Sequence, residues 1–310
     1  MGLDDLNGYI MTNKYTNIDN IVVSKKGVKI FEQNYNKKYL NKKHYIASIL
    51  KSVISLGVGV AVQKKLINVE DSVCDYFPEY FSGKNMYKRI KIKHLLTLSS
   101  GIYWRFGIHG SQPLWGRIQE SNNWLEEISN LPIVFTPGTK FYYKEIDVYI
   151  LEQILQRVTN MSIESFIAKE LYDPLGIYCD KIDLSYGING SNVENISALT
   201  AQEMLKIGEL VLNMGGVEGQ QILDKNYLNE AIKEQIRTKE FNKYFGMSSY
   251  GYLWWLCEKG YFARGFGGNE IAIFPEHEVV IVIQATAKKI SKEYLDIIFD
   301  VILEDSDVRN

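Results

Sequence analysis

From Ser48 to Val62 the chain reads Ser-Ile-Leu-Lys-Ser-Val-Ile-Ser-Leu-Gly-Val-Gly-Val-Ala-Val, with polar residues up to Tyr45 before it and Gln63-Lys64-Lys65 after it. Such a run predicts a helix, from about Ser48 to Leu66, with no broad polar face to give to water, so the rest of the chain must enclose it. Ser48 then falls at the helix start and Lys51 three residues on, which puts hydroxyl and ammonium on the same side. A buried lysine is costly unless something uses it. One use is chemical: a desolvated lysine of lowered pKa takes the proton of a neighbouring serine and makes it a nucleophile. The plainer alternative is an N-cap serine beside a lysine whose stem is buried and whose head reaches water.

The material to enclose that helix lies at both ends of the chain. Ile21–Ser24, a Lys26-Gly27 turn and Val28–Glu32 predict a hairpin. Near the other end, Tyr250–Leu256 predicts a strand. Tyr261–Gly268 leads from it into Glu270–Phe274, which turns through Pro275-Glu276-His277-Glu278 into Val279–Ile283. The stretches between read as helices: Ile92–Ser100, stopped by Gly101, then Trp124–Ile128, Ile146–Val158, Ile163–Leu171, Met204–Leu212 and Tyr227–Ile236, with Lys292–Leu303 last. Thr200-Ala201-Gln202-Glu203 has capping-box spacing. The expected fold is α/β in the α+β sense, an antiparallel sheet of N- and C-terminal strands flanked by helices. Residues 1–60 and 196–310 form the sheet domain, 61–195 a mostly helical insertion, and the active site lies between them.

Several function classes are excluded. A formal net charge of −2 with dispersed lysines gives no electrostatic footprint for nucleic acid. Three scattered cysteines, Cys74, Cys179 and Cys257, argue against a disulfide framework and a zinc cluster, so neither metal nor cofactor is expected. No run reaches the ~18 apolar residues of a membrane span, and Met1–Gly8 has no basic n-region or apolar h-region. The expected location is cytoplasmic. There is no Gly-x-Ser-x-Gly elbow, P-loop, dinucleotide fingerprint or His-Glu-x-x-His. His44, His94, His109 and His277 sit in unrelated contexts. His44 is expected at the surface, and a histidine-based triad is not expected.

If Ser48 and Lys51 act, a second proton carrier and an oxyanion hole are needed. Tyr143, between the Pro137-Gly138 turn and a helix, is a candidate carrier. The Ala263-Arg264-Gly265-Phe266-Gly267-Gly268 edge lets backbone approach a ligand, so the N–H groups of Phe266 and Ser48 are candidates for the hole.

In this order the segments resemble the serine β-lactamase and penicillin-binding-protein superfamily, on the side of class C β-lactamases, esterases and 6-aminohexanoate-dimer-hydrolase-like amidases. Ser48-Ile49-Leu50-Lys51 is similar to the first motif. His94–Gly101 resembles its "HLLTHTSG" segment, with Leu98 where His is common. Pro137-Gly138-Thr139-Lys140-Phe141-Tyr142-Tyr143 resembles "PGxxFxY", and Asp173-Pro174-Leu175-Gly176-Ile177 resembles "PLGM/I". Tyr250–Trp255 resembles "YGYxWW" and Ala263–Asn269 resembles "AxGxGGQ".

The resemblance implies a β-lactamase/transpeptidase-like fold and a metal-independent serine hydrolase acting on an amide or ester of a small molecule or peptide. Ser48 is then the nucleophile and Lys51 and Tyr143 the proton carriers. Gly265 and Arg264 fall at the substrate edge, and Trp104, Trp115 and Trp254 on pocket walls. Acyl transfer through the same intermediate, or a sensor that does not turn over, are the alternatives. Two departures stand out. Glu145 replaces the usual Asn or Ser of the second motif; it either pairs with Lys51, selects a cationic substrate group, or turns outwards. Ala263-Arg264-Gly265 replaces Lys-Thr-Gly, leaving Arg264 as the one cation for a substrate carboxylate and making β-lactamase activity the least expected of these reactions.

Overall fold

Ile18–Lys25 (β1) and Val28–Asn34 (β2) pair about Lys26 and Gly27, both at positive φ (52° and 74°), the two-residue turn whose twist suits a hairpin. The computed structural model describes residues 3–12, 17–84, 86–105, 112–179, 195–238, 247–286 and 293–308. The remaining strands of the main sheet are Ile236–Arg237 (β3), Ser249–Tyr250 (β4), Trp255–Leu256 (β5), Tyr261–Gly265 (β6), Asn269–Phe274 (β7) and Val279–Ala285 (β8). Their order is β2-β1-β8-β7-β6-β5-β4-β3, with every neighbour antiparallel. The chain's two ends meet at the β1–β8 ladder, where Val22 faces Val282. Burial on both faces fits the unbroken apolar stretches Ile21–Val23 of β1, Ile271–Phe274 of β7 and Val279–Ile283 of β8, which do not alternate.

The central helix, Ile49–Gln63, packs on one face of the sheet, and the helix Ala201–Leu212 lies on that same face over β1, β7 and β8. The terminal helix, Glu293–Val308, covers the other face, its Phe299 ring tilted against Phe262 and edge-on to Phe274. Among the described residues from Lys64 to Asn195 no strand joins the sheet. That stretch supplies the helix Ile146–Thr159 and shorter helices that enclose the far side of the central one. A Cβ on Gly57 would meet Ile167 at 2.6 Å, and one on Gly59 would meet Leu223 at 2.7 Å, so the glycines admit neighbours from two directions. The polar residues of this helix are satisfied within the core: Ser52 Oγ donates to Leu253 O (2.7 Å), and Ser55 Oγ meets the Tyr227 hydroxyl (3.0 Å).

Three expectations are corrected, and one unanticipated helix is added. Tyr250–Leu256 is not one strand but β4, a turn and β5. Leu253 sits at φ 62°, its N–H held by Leu96 O (2.8 Å) and its carbonyl by Ser52, tertiary contacts that override a strand-like composition. The helix expected over Tyr227–Ile236 is Lys225–Ala231, capped by Asp224, and Ile236 enters the sheet. The polar N-terminal stretch forms a helix, Leu3–Thr12, burying Leu6 and Ile10 against the terminal helix. His44 is buried, its Nε2 3.3 Å from Asp19, with burial lowering its pKa against the pull of that carboxylate. His109 lies outside the described residues, as does Lys292 of the last helix. No helix among the described residues is long and apolar enough to cross a membrane.

Candidate active site

Ser48 occupies the N-cap position of the central helix, directly after Ala47, which is held at φ 50°. Positive φ in a residue with a Cβ is strain that persists only where the surroundings impose it. Here the constraint is Gly265 of β6: a Cβ there would lie 2.2 Å from Ile46 O, so backbone meets backbone beside the serine. Only glycine permits that approach. Neither the Ser48 N–H nor the Phe266 N–H is spent on a turn, cap or loop hydrogen bond among the described residues. The Ser48 N–H opens a 15-residue helix, whose partial positive charge favours an anion at this point.

Lys51 Nζ is the hub. It lies 3.2 Å from Ser48 Oγ and 2.6 Å from a Glu145 carboxylate oxygen, and it also hydrogen-bonds Tyr143, over whose ring it sits at 5.0 Å. An ammonium has three N–H groups, and three acceptors surround this one. Of the alternatives the sequence left open for this lysine, the arrangement gives a charged Lys51 held by Glu145 and not one of lowered pKa. Burial, the largest single influence, favours the neutral amine, but Tyr143 and the Glu145 carboxylate together outweigh it and raise the pKa. Of the three orientations open to Glu145, the structure has the first, with the carboxylate also at the N-terminal end of the helix Ile146–Thr159.

The second motif is held from behind. Tyr142 N–H donates to Leu98 O (2.9 Å) and Gly138 N–H to Ser99 O (2.8 Å), so the His94–Gly101 segment grips the turn before Tyr143. Between Tyr143 and Glu145, Lys144 turns the opposite way, into the core. Its Nζ is 3.5 Å from Asp147, which accepts from Ser100 Oγ (2.6 Å). Burial pushes Lys144 down and Asp147 up, each against the pull of the other. Sequence reasoning missed this buried pair, although the i,i+3 spacing of Lys144 and Asp147 was its one visible signal.

A cleft of about 440 Å³ opens on the serine. Ser48, Lys51, Glu145, Trp115 and Phe266 line it, so these expected site residues come together. Tyr143 joins them through Lys51, its ring stacked on Trp255 at 6.1 Å. Trp104 is buried behind Trp115, ring centroids 6.4 Å apart. Two expected residues are elsewhere. Trp254 is fully buried against Tyr261; beyond the turn at Leu253 it is Trp255 that stacks on Tyr143. Arg264 pairs across the ladder with Glu270, 2.8 Å away, on the terminal-helix face of the sheet, opposite the serine. Glu152, Tyr149 and Trp124, also on the cleft wall, were not anticipated. A larger cavity, about 540 Å³, lies at the other end of the central helix, by Tyr227 and Tyr252.

A model of the Beta-lactamase family matches residues 21–298. The chain belongs to the Beta-lactamase family. This is a family of serine hydrolases on one fold, and the two-faced sheet and serine-bearing central helix are that fold in this chain. Among solved structures it is similar to the octameric penicillin-binding protein homologue from Pyrococcus abyssi (TM-score 0.73, 17% identity, 99% of this chain and 79% of that one). It is also similar to EstCE1, a hydrolase with promiscuous acyltransferase activity (TM-score 0.76, 14% identity, 97% of each chain). A provisionally named D-alanyl-D-alanine carboxypeptidase of Escherichia coli K12 is 25% identical over 118 residues, 36% of this chain and 27% of that one. The match thus spans about a quarter of that relative's length.

Proposed function

We propose that the protein is a serine hydrolase that cleaves an amide or ester through an acyl-enzyme on Ser48. The observation that carries this reading is the Lys51 hub, within hydrogen-bonding reach of Ser48 Oγ, Tyr143 and Glu145 at the mouth of a cleft. Ser48 Oγ attacks the carbonyl carbon, and its proton passes into the Lys51–Tyr143–Glu145 cluster. The N–H groups of Ser48 and Phe266 hold the oxyanion. The cluster returns a proton to the leaving amine or alcohol as the carbon–heteroatom bond breaks. Water then repeats the sequence on the acyl-enzyme, releasing the acid and restoring Ser48. In this reading the site lies between a sheet domain (1–60 and 196–310) and a helical one (61–195).

A neutral chromogenic ester tests it. A burst followed by turnover, abolished in Ser48→Ala, supports hydrolysis. Added amine or alcohol that diverts product marks acyl transfer. Stoichiometric labelling without turnover would assign the protein to the sensors, a reading the Lys51–Glu145 ion pair favours because it holds the base protonated.

A further inference from the structure

We infer that the mouth of the cleft beside Ser48 takes an uncharged aromatic group of the substrate, held by the side chains of Tyr45 and Phe266. The inference rests on the proposed hydrolase reading and names the substrate class of that site. Both residues line the cleft. They are also 69% and 78% exposed, and Phe266 is the most exposed of the large apolar side chains described. One exposed aromatic residue is ordinary, but two at the opening of a cleft make a patch that a ligand can cover. The segments that carry them are in contact: the Cβ that Gly265 lacks would lie 2.2 Å from Ile46 O, one residue from each ring-bearing position.

Neither ring is exposed through slack in the chain. Tyr45 follows the buried His44 on a two-residue strand paired with Ala198–Leu199, and alternation turns it outwards as His44 turns in. Just beyond, Ile46 N–H donates to Ser197 O (2.8 Å). Phe266 directly follows β6, and its carbonyl accepts from Asn269 Nδ2 (3.0 Å) across Gly267 and Gly268 at φ 88° and 92°. Rings on held backbone meet a ligand at little entropic cost. Phe266 also ties its ring to the chemistry, because the N–H proposed to hold the oxyanion belongs to the same residue. A carbonyl bound there lies within a side chain's length of the ring, and Tyr45 stands three residues before the nucleophile. The charge of the occupant follows from the neighbours. Ring faces repel an anion, and a cation would meet the positive end of the central helix. Lys51 and Glu145 neutralise one another at 2.6 Å, so a neutral group is the one that costs least to place here. An aromatic ring adds stacking to the area it buries.

Binding can be read without turnover, by calorimetry on the full-length Ser48→Ala protein. N-benzylacetamide and N-methylphenylacetamide, which place a phenyl ring on either side of the amide, are compared with N-methylacetamide. The better of the two should bind at least about tenfold more tightly than N-methylacetamide. A charged para substituent of either sign on its ring should remove most of that gain. Phe266→Ala and Tyr45→Ala should each weaken aryl binding by about threefold or more, whereas Tyr45→Phe, which keeps the ring, should not. Both side chains lie mostly in solvent, so these variants leave the core intact. Aryl amides binding no more tightly than N-methylacetamide would overturn the inference, whatever the variants do. So would an aryl preference that both alanine variants retain, which would place the ring elsewhere in the cleft. An inert Ser48 in the ester assay would sink the hydrolase reading and leave this preference measurable, whereas a reactive Ser48 without the preference would sink only the aryl site.

Discussion

Replacing Glu145 with Gln should move the rising limb of the pH–rate profile to lower pH. Two unit charges 2.6 Å apart interact by about 6 kcal/mol at an effective dielectric constant of about 20. That figure is an upper bound. Glu145 keeps 26% of its side-chain exposure, so water screens the pair, and the amide oxygen of Gln still accepts a hydrogen bond. Opposite charges at this range shift a neighbour by about one to three pH units, and Lys51 should fall by that amount. The sign follows from which state holds the proton. The carboxylate keeps Lys51 charged, so without it the cluster gives up its proton at lower pH and takes the Ser48 proton sooner. The assay is kcat/KM for a neutral chromogenic ester from about pH 5 to about pH 10, where a limb of this kind reports the free enzyme. Glu145→Asp, which keeps the charge, serves as the control. A limb that stays in place in Glu145→Gln, or moves to higher pH, would refute the reasoning.

Three further outcomes are expected. Gly265→Ala puts a Cβ 2.2 Å from Ile46 O, so β6 must retreat from the nucleophile; kcat/KM should fall by about tenfold to a hundredfold, as small displacements of catalytic groups do, while burst labelling at saturation reports whether Ser48 still reacts. Lys144→Met leaves Asp147 buried without its cation and should cost about 3 to 5 kcal/mol in chemical denaturation, although Lys144 points away from the cleft; an unchanged midpoint would contradict the buried-pair account. Burial lifts Glu270 from 4.5 to about 7 despite Arg264, so the folded state binds its proton more tightly than the unfolded one. Its contribution to stability is fully present below about pH 4.5 and lost as pH rises to about 7, a melting-temperature slope that Glu270→Gln should flatten.

Much of the fold was legible because burial leaves a mark on composition. Ile21–Val23, Ile271–Phe274 and Val279–Ile283 are unbroken apolar stretches because they are buried on both faces of the sheet, and the central helix is apolar because it is surrounded. The Lys26-Gly27 turn was legible from local chemistry. What was not legible depends on tertiary contacts. Leu253 turns because Leu96 and Ser52 hold its backbone, and beyond that turn Trp254 is buried in the core while Trp255 stacks on Tyr143. Arg264 looked like a substrate cation in sequence, but strand alternation sends neighbours to opposite faces and nothing local says which face holds the serine. The charge state of Lys51 was beyond reach for the same reason. It is set by two residues more than ninety positions away, and the sequence offered three orientations for one of them.

The acyl-enzyme is the centre of the account, and intact-protein mass spectrometry observes it directly. The protein is quenched in acid within the burst phase of a slowly deacylated ester, and the modified peptide is then mapped. The account predicts a single added acyl group on Ser48, absent in Ser48→Ala. Turnover with no adduct, or an adduct on any other residue, would contradict it.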